Sequence, residues 1–208
     1  MATLAEVLAH MTGHAGGRPQ RITWHNFTPV HHARLPRADA LTEADFRWTS
    51  DFPSQPDRAG IHRLTNVRVT VAMNQPRSWY VIGRESPLLL RHEQGHYDIT
   101  FVVARELCRR LLELEWHHAV LEAVGESSPT RIVAQLRSDA ERMARAAKAE
   151  AKRMNDLYDD PMRGAKHADG TINPDAQTRW DGMIHHGVSQ ETGLDLLVTL
   201  AGGNPRTW

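Results

Sequence analysis

The chain has one cysteine, no net charge and no long apolar run, and each of these shortages excludes a class of protein. Because Cys108 is alone, the chain can form neither an intrachain disulfide nor a cysteine-based zinc knuckle. The 25 basic and 25 acidic side chains cancel, so bulk electrostatics favours neither nucleic acid nor a membrane as a partner. No apolar run approaches the roughly 20 residues that a membrane-spanning helix needs.

The amino terminus, MATLAEVLAHMTGHAGG, also lacks the features of a secretory signal. It has no basic segment followed by a continuous apolar stretch. We therefore expect a cytoplasmic protein; the sequence leaves its oligomeric state open.

Histidine is abundant instead, with 13 in 208 residues, and a chain of this length is enough for one sizeable domain. The glycine-containing joint TGHAGGRPQ predicts that residues 1–18 form a flexible amino-terminal segment. We expect the domain to span residues 19–182, with a carboxy-terminal extension over residues 183–208.

The hydrophobic pattern predicts an α+β fold. Alternating valines in NVRVTVAM, residues 66–73, indicate a half-buried strand, and SWYVI indicates a second one. Ser86 and Pro87 predict the start of a long helix that runs to about residue 118. Apolar residues three and four apart predict a second long helix over residues 129–158. We expect a small, mostly antiparallel sheet packed on these two helices.

Other segments carry weaker signals. RITWHNF is a short strand candidate, and residues 31–60 are rich in proline, aspartate and arginine. We expect those residues to be irregular, with one helical turn at LTEADF. TRWDGMI predicts a closing helical turn near residue 180.

The first long helix opens with RHEQGHYDIT, which has the spacing of a zinc motif. At 100° per residue His92 and His96 lie about 40° apart on one face, and Glu93 lies on its flank. Two imidazoles can then bind one zinc ion while the carboxylate reaches the water that zinc activates. Gly95 is unfavourable inside a helix by about 1 kcal/mol, which indicates that another segment or a substrate approaches it closely. Asp98 faces away, and we expect it to be a buried hydrogen-bond acceptor.

These residues resemble the bacterial domain-of-unknown-function family 922, whose members are predicted zinc-dependent proteases with a zincin-like fold. The resemblance covers residues 20–182: HEQGHYDIT with RVTVAM and SWYV ahead of it, TWHNF, and YDDPMRGAKHADGTINPDAQTRW. It implies a zincin-like metalloprotease domain that cleaves a peptide or protein substrate. Gln177 and Trp180 match the family's Gln-x-x-Trp step.

A catalytic zinc ion needs a third protein ligand, and later carboxylates of the same helix lie too far along its axis. His167 is the leading candidate because its neighbourhood is similar to the family's. Four alternatives stay open at this point, namely Asp159, Asp160, His185 and His186.

The function that this pattern predicts is zinc-dependent peptide-bond hydrolysis, with His92, His96 and His167 on the metal and Glu93 as general base. Tyr158 is a candidate donor to the oxyanion. Residues 66–73 are a candidate edge strand for an extended peptide. Two other hypotheses are a catalytically inactive zinc-binding interaction module and a structural zinc protein with four closed ligands. A helix that carries two exposed histidines by chance is the simplest alternative.

Overall fold

The computed structural model describes residues 2–190 and 193–201, and it is an α+β fold. The helices are α1 (Leu4–Ala9), α2 (Pro87–Glu113), α3 (His118–Ala123), α4 (Pro129–Tyr158), α5 (Pro174–Ser189) and α6 (Gly193–Leu200). The strands are β1 (Met11–Thr12), β2 (His14–Ala15), β3 (Arg18–Pro19), β4 (Thr28–Val30), β5 (Ala40–Leu41), β6 (Ala44–Asp51), β7 (Ile61–Arg63), β8 (Thr65–Met73), β9 (Trp79–Val81) and β10 (Glu115–His117).

Strand β8 confirms the alternation read from the sequence, but it is not the edge of its sheet. Val67, Val69 and Val71 are buried and their neighbours are exposed. The strand order is β1-β8-β6, in which β1 is parallel to β8 and β6 is antiparallel to it. Because both sides of β8 are paired, the prediction that residues 66–73 offer a free edge is wrong. β6 is an outer strand of this sheet.

Strand β6 lies where the sequence predicted an irregular segment with one helical turn. Phe46 is 1% exposed and Trp48 is half-buried, while the alternate residues Asp45 and Arg47 are exposed. This alternation is the period of a strand with one buried face, and pairing with β8 extends it over eight residues. The expected strand at RITWHNF also differs, because Trp24–Asn26 form a 3-10 turn and β4 begins at Thr28.

Helix α2 begins at the predicted cap and lies at the centre of the fold. The Ser86 Oγ accepts a hydrogen bond from the Leu89 amide at 3.0 Å, and Pro87 occupies the first turn. Ile99, Val103 and Leu107 are completely buried, since α2 packs against β8 and β6 on one side and against α4, α5 and α6 elsewhere. In the part of the chain that is described, no helix has the length and apolarity to cross a bilayer.

The first and last described helices, α1 and α6, pack against α2. Residues expected to be flexible form α1, in which Val7 is 2% exposed, and β1, in which Met11 pairs with Val69. The predicted closing turn near residue 180 is the 16-residue helix α5, which continues through the expected boundary at residue 182. Cys108 is buried as expected, and burial raises its pKa to about 12.

One buried guanidinium ties α5 to α2. Arg105 is 3% exposed, and its Nη atoms donate to the carbonyls of Gly187, Val188 and Gln190 at 2.5–2.7 Å. These carbonyls belong to the last turn of α5 and the residue that follows it, where helical carbonyls have no partner inside the helix. The cation also lies at the negative end of the helix dipole.

Replacement of Arg105 by methionine should therefore lower the free energy of unfolding by about 2–4 kcal/mol, because three buried carbonyls lose a charged donor. Arg131→Met is the matched control, since Arg131 pairs with Glu126 at the exposed surface and should change stability by less than about 1 kcal/mol. Urea denaturation followed by circular dichroism measures both. Equal effects for the two variants would show that Arg105 does not hold α5.

Candidate metal centre

Helix α2 places two buried imidazoles one turn apart on the side that faces the end of α4. His92 is 0% exposed and His96 is 8% exposed. Their ring centroids lie 4.9 Å apart and the ring planes are nearly perpendicular, at 89°. The simplest alternative, a helix with two exposed histidines, is therefore wrong.

The third member of the group is Asp159, which follows the last residue of α4. Its Oδ1 lies 3.0 Å from the Nε2 of His92 and 3.3 Å from the Nε2 of His96. The potential ligand atoms of the three residues all lie within 4.8 Å of one another. Two ligands of a tetrahedral zinc ion are separated by about 3.3 Å, so the spacing fits a small divalent cation.

Two amide side chains fix the orientation of the imidazoles. The Nδ1 of His92 lies 2.9 Å from the Oε1 of Gln177, and the Nδ1 of His96 lies 2.7 Å from the Oδ1 of Asn155. The orientation of each amide is set in turn, because the Gln177 Nε2 donates to Asp181 and the Asn155 Nδ2 donates to the Ala151 carbonyl. Each amide therefore turns its oxygen, which only accepts, toward an imidazole.

This arrangement determines where the imidazole protons are. Since each Nδ1 faces an acceptor, each Nδ1 carries a proton and donates it. In a neutral ring the Nε2 then has a lone pair, and for His92 and His96 both lone pairs converge on a carboxylate oxygen of Asp159. Three acceptors that point at one another repel unless a cation or added protons lie between them. Histidines that bind a metal through Nε2 commonly donate the Nδ1 hydrogen to a fixed acceptor in this way.

The electrostatics of the group also favour a cation. Burial raises the pKa of Asp159, but His96, His92 and Lys166 outweigh it and hold that pKa well below its usual range. Burial lowers the pKa of His92. Burial also acts to lower the pKa of His96, but the negative charge of Asp159 outweighs it and the pKa is raised. A carboxylate that stays ionised beside buried imidazoles is an environment that attracts positive charge.

Tyr158 explains the glycine inside the motif. Its ring stacks on His92 at a centroid distance of 4.6 Å and meets His96 edge-on at 4.9 Å. A Cβ at position 95 would overlap the phenol of Tyr158, so only glycine lets this tyrosine reach the imidazoles. The expected close approach of another segment to Gly95 is confirmed. The hydroxyl of Tyr158 accepts from the Gln177 Nε2 at 2.5 Å, which links the tyrosine to the orienting amide.

Glu93 lies beside the group in a cavity of about 250 Å³. The residue is 1% exposed, and its Oε2 has no hydrogen-bond partner among the described residues. Lys166, residues 38–40 and residues 170–172 line the same cavity. A buried carboxylate oxygen without a partner is costly, so this position favours a hydrogen-bond donor or a cation.

The other predicted site residues lie away from the imidazoles. His167, the leading candidate for the third ligand, is not part of the group, and Asp159 lies beside the imidazoles instead. The His167 side chain is exposed, in a turn that the Gly170 amide closes by donating to the His167 carbonyl. The Oδ1 of Asp160 accepts from two amides of its own loop, and His185 and His186 are exposed on α5.

Asp98 faces away from the imidazoles, as predicted. It accepts from the Gln94 Nε2 at 2.7 Å, but it is half-buried and not fully buried. Burial raises its pKa to about 7. Its ionised form is therefore disfavoured in the fold, which the sequence did not indicate.

Three residues that were not predicted as site residues contact the site, although Gln177 and Trp180 match the family's Gln-x-x-Trp step. Gln177 and Asn155 orient the imidazoles. Trp180 packs on Tyr158 at a centroid distance of 5.2 Å and donates its Nε1 hydrogen to the Arg163 carbonyl. The spacing of Asn155, Tyr158 and Asp159 was the available signal, because residues three and four apart share one helix face.

The fold and the site define an α+β protein with a buried His-His-Asp group that could hold a metal ion. The chain belongs to the family described as bacterial protein of unknown function (DUF922), whose model matches residues 23–168. No curated protein and no solved structure matches it.

The contact at Gly95 generates a stability prediction. Gly95→Ala should destabilise the chain by about 2–3 kcal/mol, since the methyl group forces Tyr158 and the end of α4 off α2. Gly182→Ala is the matched control, because its Cβ would meet nothing within 4 Å on α5 and should stabilise the helix by about 0.5–1 kcal/mol. Thermal unfolding of the two variants would show opposite shifts; shifts of the same sign would contradict the assigned contact.

Proposed function

We propose that the chain is a zinc-dependent peptide hydrolase in which His92, His96 and Asp159 hold the metal. The observation that carries this proposal is the convergence of two imidazole lone pairs and a carboxylate oxygen within 4.8 Å. Two imidazoles and one carboxylate are a donor set typical of catalytic zinc, which keeps a further position open for reactants. A structural zinc site would have four protein ligands, and the described residues supply three to this group.

Glu93 is the proposed general base. A zinc ion bound by the three ligands would act as a Lewis acid toward a substrate carbonyl and would make water a better nucleophile at neutral pH. Glu93 follows His92 on the same helix, and its Oε2 is buried without a partner. Its carboxylate would accept a proton from the attacking water and donate that proton to the departing amine. The low exposure of Glu93 itself, 1%, would limit the access of competing water to the carboxylate.

The proposed substrate is an extended peptide. A cavity of about 220 Å³ lies on the His96 side and is lined by residues 42–46, while the Glu93 cavity is lined by residues 38–40. One chain segment therefore borders both cavities. It contains β5 and β6, which are outer strands of their sheets, and the Oγ1 of Thr42 is buried without a described partner. An extended peptide could bind beside such a segment through main-chain hydrogen bonds.

The zincin-like part of the predicted fold belongs to the same proposal. A motif helix that carries two ligands and the base, with outer strands beside it, has the parts that a zincin needs. Here the third ligand would come from the end of a second long helix. The supporting observation is that Asn155, Tyr158 and Asp159 all lie in or just after the last turn of α4 and meet α2 there.

Metal binding tests the ligand assignment directly. Asp159→Ala should weaken zinc affinity by at least roughly 100-fold, because a ligand and its charge are both lost. His167→Ala should leave the affinity within about twofold of wild type, since the side chain is exposed and outside the group. Competition with a chromophoric chelator measures both dissociation constants. The reverse order of effects would restore His167 as the third ligand.

Catalysis is tested with Glu93→Gln, which keeps the shape of the side chain and removes its basicity. We expect the variant to bind zinc as wild type does and to cleave internally quenched peptides about 10²–10⁴-fold more slowly. Glu141→Gln on the exposed face of α4 is the control and should cleave normally. If wild type binds zinc and cleaves no member of a broad peptide library, the inactive interaction module becomes the better hypothesis.

A further inference from the structure

A lysine ammonium lies on the same carboxylate oxygen as the two imidazoles. The Nζ of Lys166 is 2.7 Å from the Oδ1 of Asp159, and that oxygen also lies 3.0 Å and 3.3 Å from the Nε2 atoms of His92 and His96. The side chains of Lys166 and Asp159 are 15% and 39% exposed, so the ammonium is mostly buried and the carboxylate keeps partial contact with solvent. The pair is therefore screened less by salt than one between two fully exposed side chains.

The loop that carries Lys166 is held in place on both sides of it. The Ala165 amide donates to the Tyr158 carbonyl at 2.7 Å, and the Ala165 carbonyl accepts from the Asn173 amide at 2.8 Å. Lys166 itself is bridged to Ile172. With the backbone fixed, only the flexible four-carbon stem can move the ammonium.

We propose that Lys166 competes with the metal for Asp159 and so sets the metal affinity of the site. This inference depends on the proposed metal function. A divalent cation that binds the two Nε2 lone pairs and Oδ1 would lie beside the ammonium, and two cations so close in a buried site repel each other strongly. Metal binding therefore requires Lys166 to leave Oδ1.

The structure offers the displaced ammonium a destination. Lys166 lines the cavity of about 250 Å³ that also contains Glu93, where the Oε2 of Glu93 has no described partner. The ammonium can thus rotate about its stem into this cavity and away from the Oδ1 of Asp159. Lys166 thus acts on metal binding through Asp159, because the free energy of its ion pair with Asp159 is lost when the metal binds.

The test is zinc affinity of the full chain, stripped of metal with a chelator and titrated against a chromophoric competitor at fixed pH. Lys166→Met should bind zinc roughly five- to tenfold more tightly than wild type, because the competing cation is gone. Lys166→Arg keeps the charge and should stay close to wild type. Lys148→Met is the matched control, since it removes a lysine charge whose ion pair is with Asp45, both side chains being about half exposed.

Thermal unfolding supplies a second readout that does not use activity. Stripped Lys166→Met should melt below stripped wild type, and the difference should shrink when zinc saturates both proteins, as the thermodynamic cycle requires. Equal or weaker zinc affinity in Lys166→Met, with stoichiometric binding by wild type, would overturn the competition alone. A wild-type chain that binds no divalent cation would overturn the proposed function and this inference together.

Discussion

Tyr158 lies against the backbone of Gly95, where any larger residue would keep the end of α4 away from α2. The rest of the site depends on this approach. Asn155 and Asp159 lie three residues before Tyr158 and one residue after it, so the same closeness brings an orienting amide and a carboxylate to the imidazoles. Stacking on His92 at 4.6 Å then restricts that ring. The glycine lowers the stability of the helix, but it allows the close approach that fixes the positions of Asn155, Tyr158 and Asp159.

The imidazoles are held by neutral amides whose own orientation is fixed. Gln177 connects His92 to Asp181, and Asp181 pairs with Arg91 at 3.0 Å, so a polar network runs from the surface of α2 to the buried ring. Asn155 connects His96 to the main chain of α4. Fully satisfied polar networks of this kind specify one arrangement, and a ligand group fixed in advance loses little freedom when it binds. The two lone pairs therefore converge because of these amides.

Much of the frame could be predicted from local signals. Ser86 and Pro87 mark the start of α2, the apolar spacing marks α4, and the valines of β8 alternate as the structure shows. Strand β6 has the same alternation at Phe46 and Trp48, but its surroundings are rich in proline and charge, and its pairing with β8 is a long-range contact. Whether a strand lies at the edge or at the centre of a sheet also depends on strands distant in sequence. For this reason the local pattern of β8 could not show that β8 lies between two other strands.

The third member of the His-His-Asp group shows a different limit. His92, Glu93 and His96 follow from spacing within one helix, because helix geometry alone puts them together. Asp159 comes from another helix, and which face of α4 meets α2 is decided by packing at Gly95 and not by α4 itself. The preference for His167 gave weight to the resemblance of its neighbourhood to the family's. The position of Asp159 at the end of α4 was a further signal, and only the tertiary contact brings that residue to the imidazoles.

The carboxylate of Asp159 also explains why the Lys166 ammonium lies beside the imidazoles. Glu93 is buried and Asp159 is partly buried on the other side of His92, and negative charges with reduced access to water are tolerated when they are paired. Lys166 neutralises one of them through Oδ1 of Asp159. With His167 as the ligand there would be a single buried carboxylate and no oxygen for the ammonium beside the imidazoles. Asp159, the unpartnered Glu93 and Lys166, which lines the Glu93 cavity and pairs with Asp159, thus form one electrostatic unit beside the imidazoles.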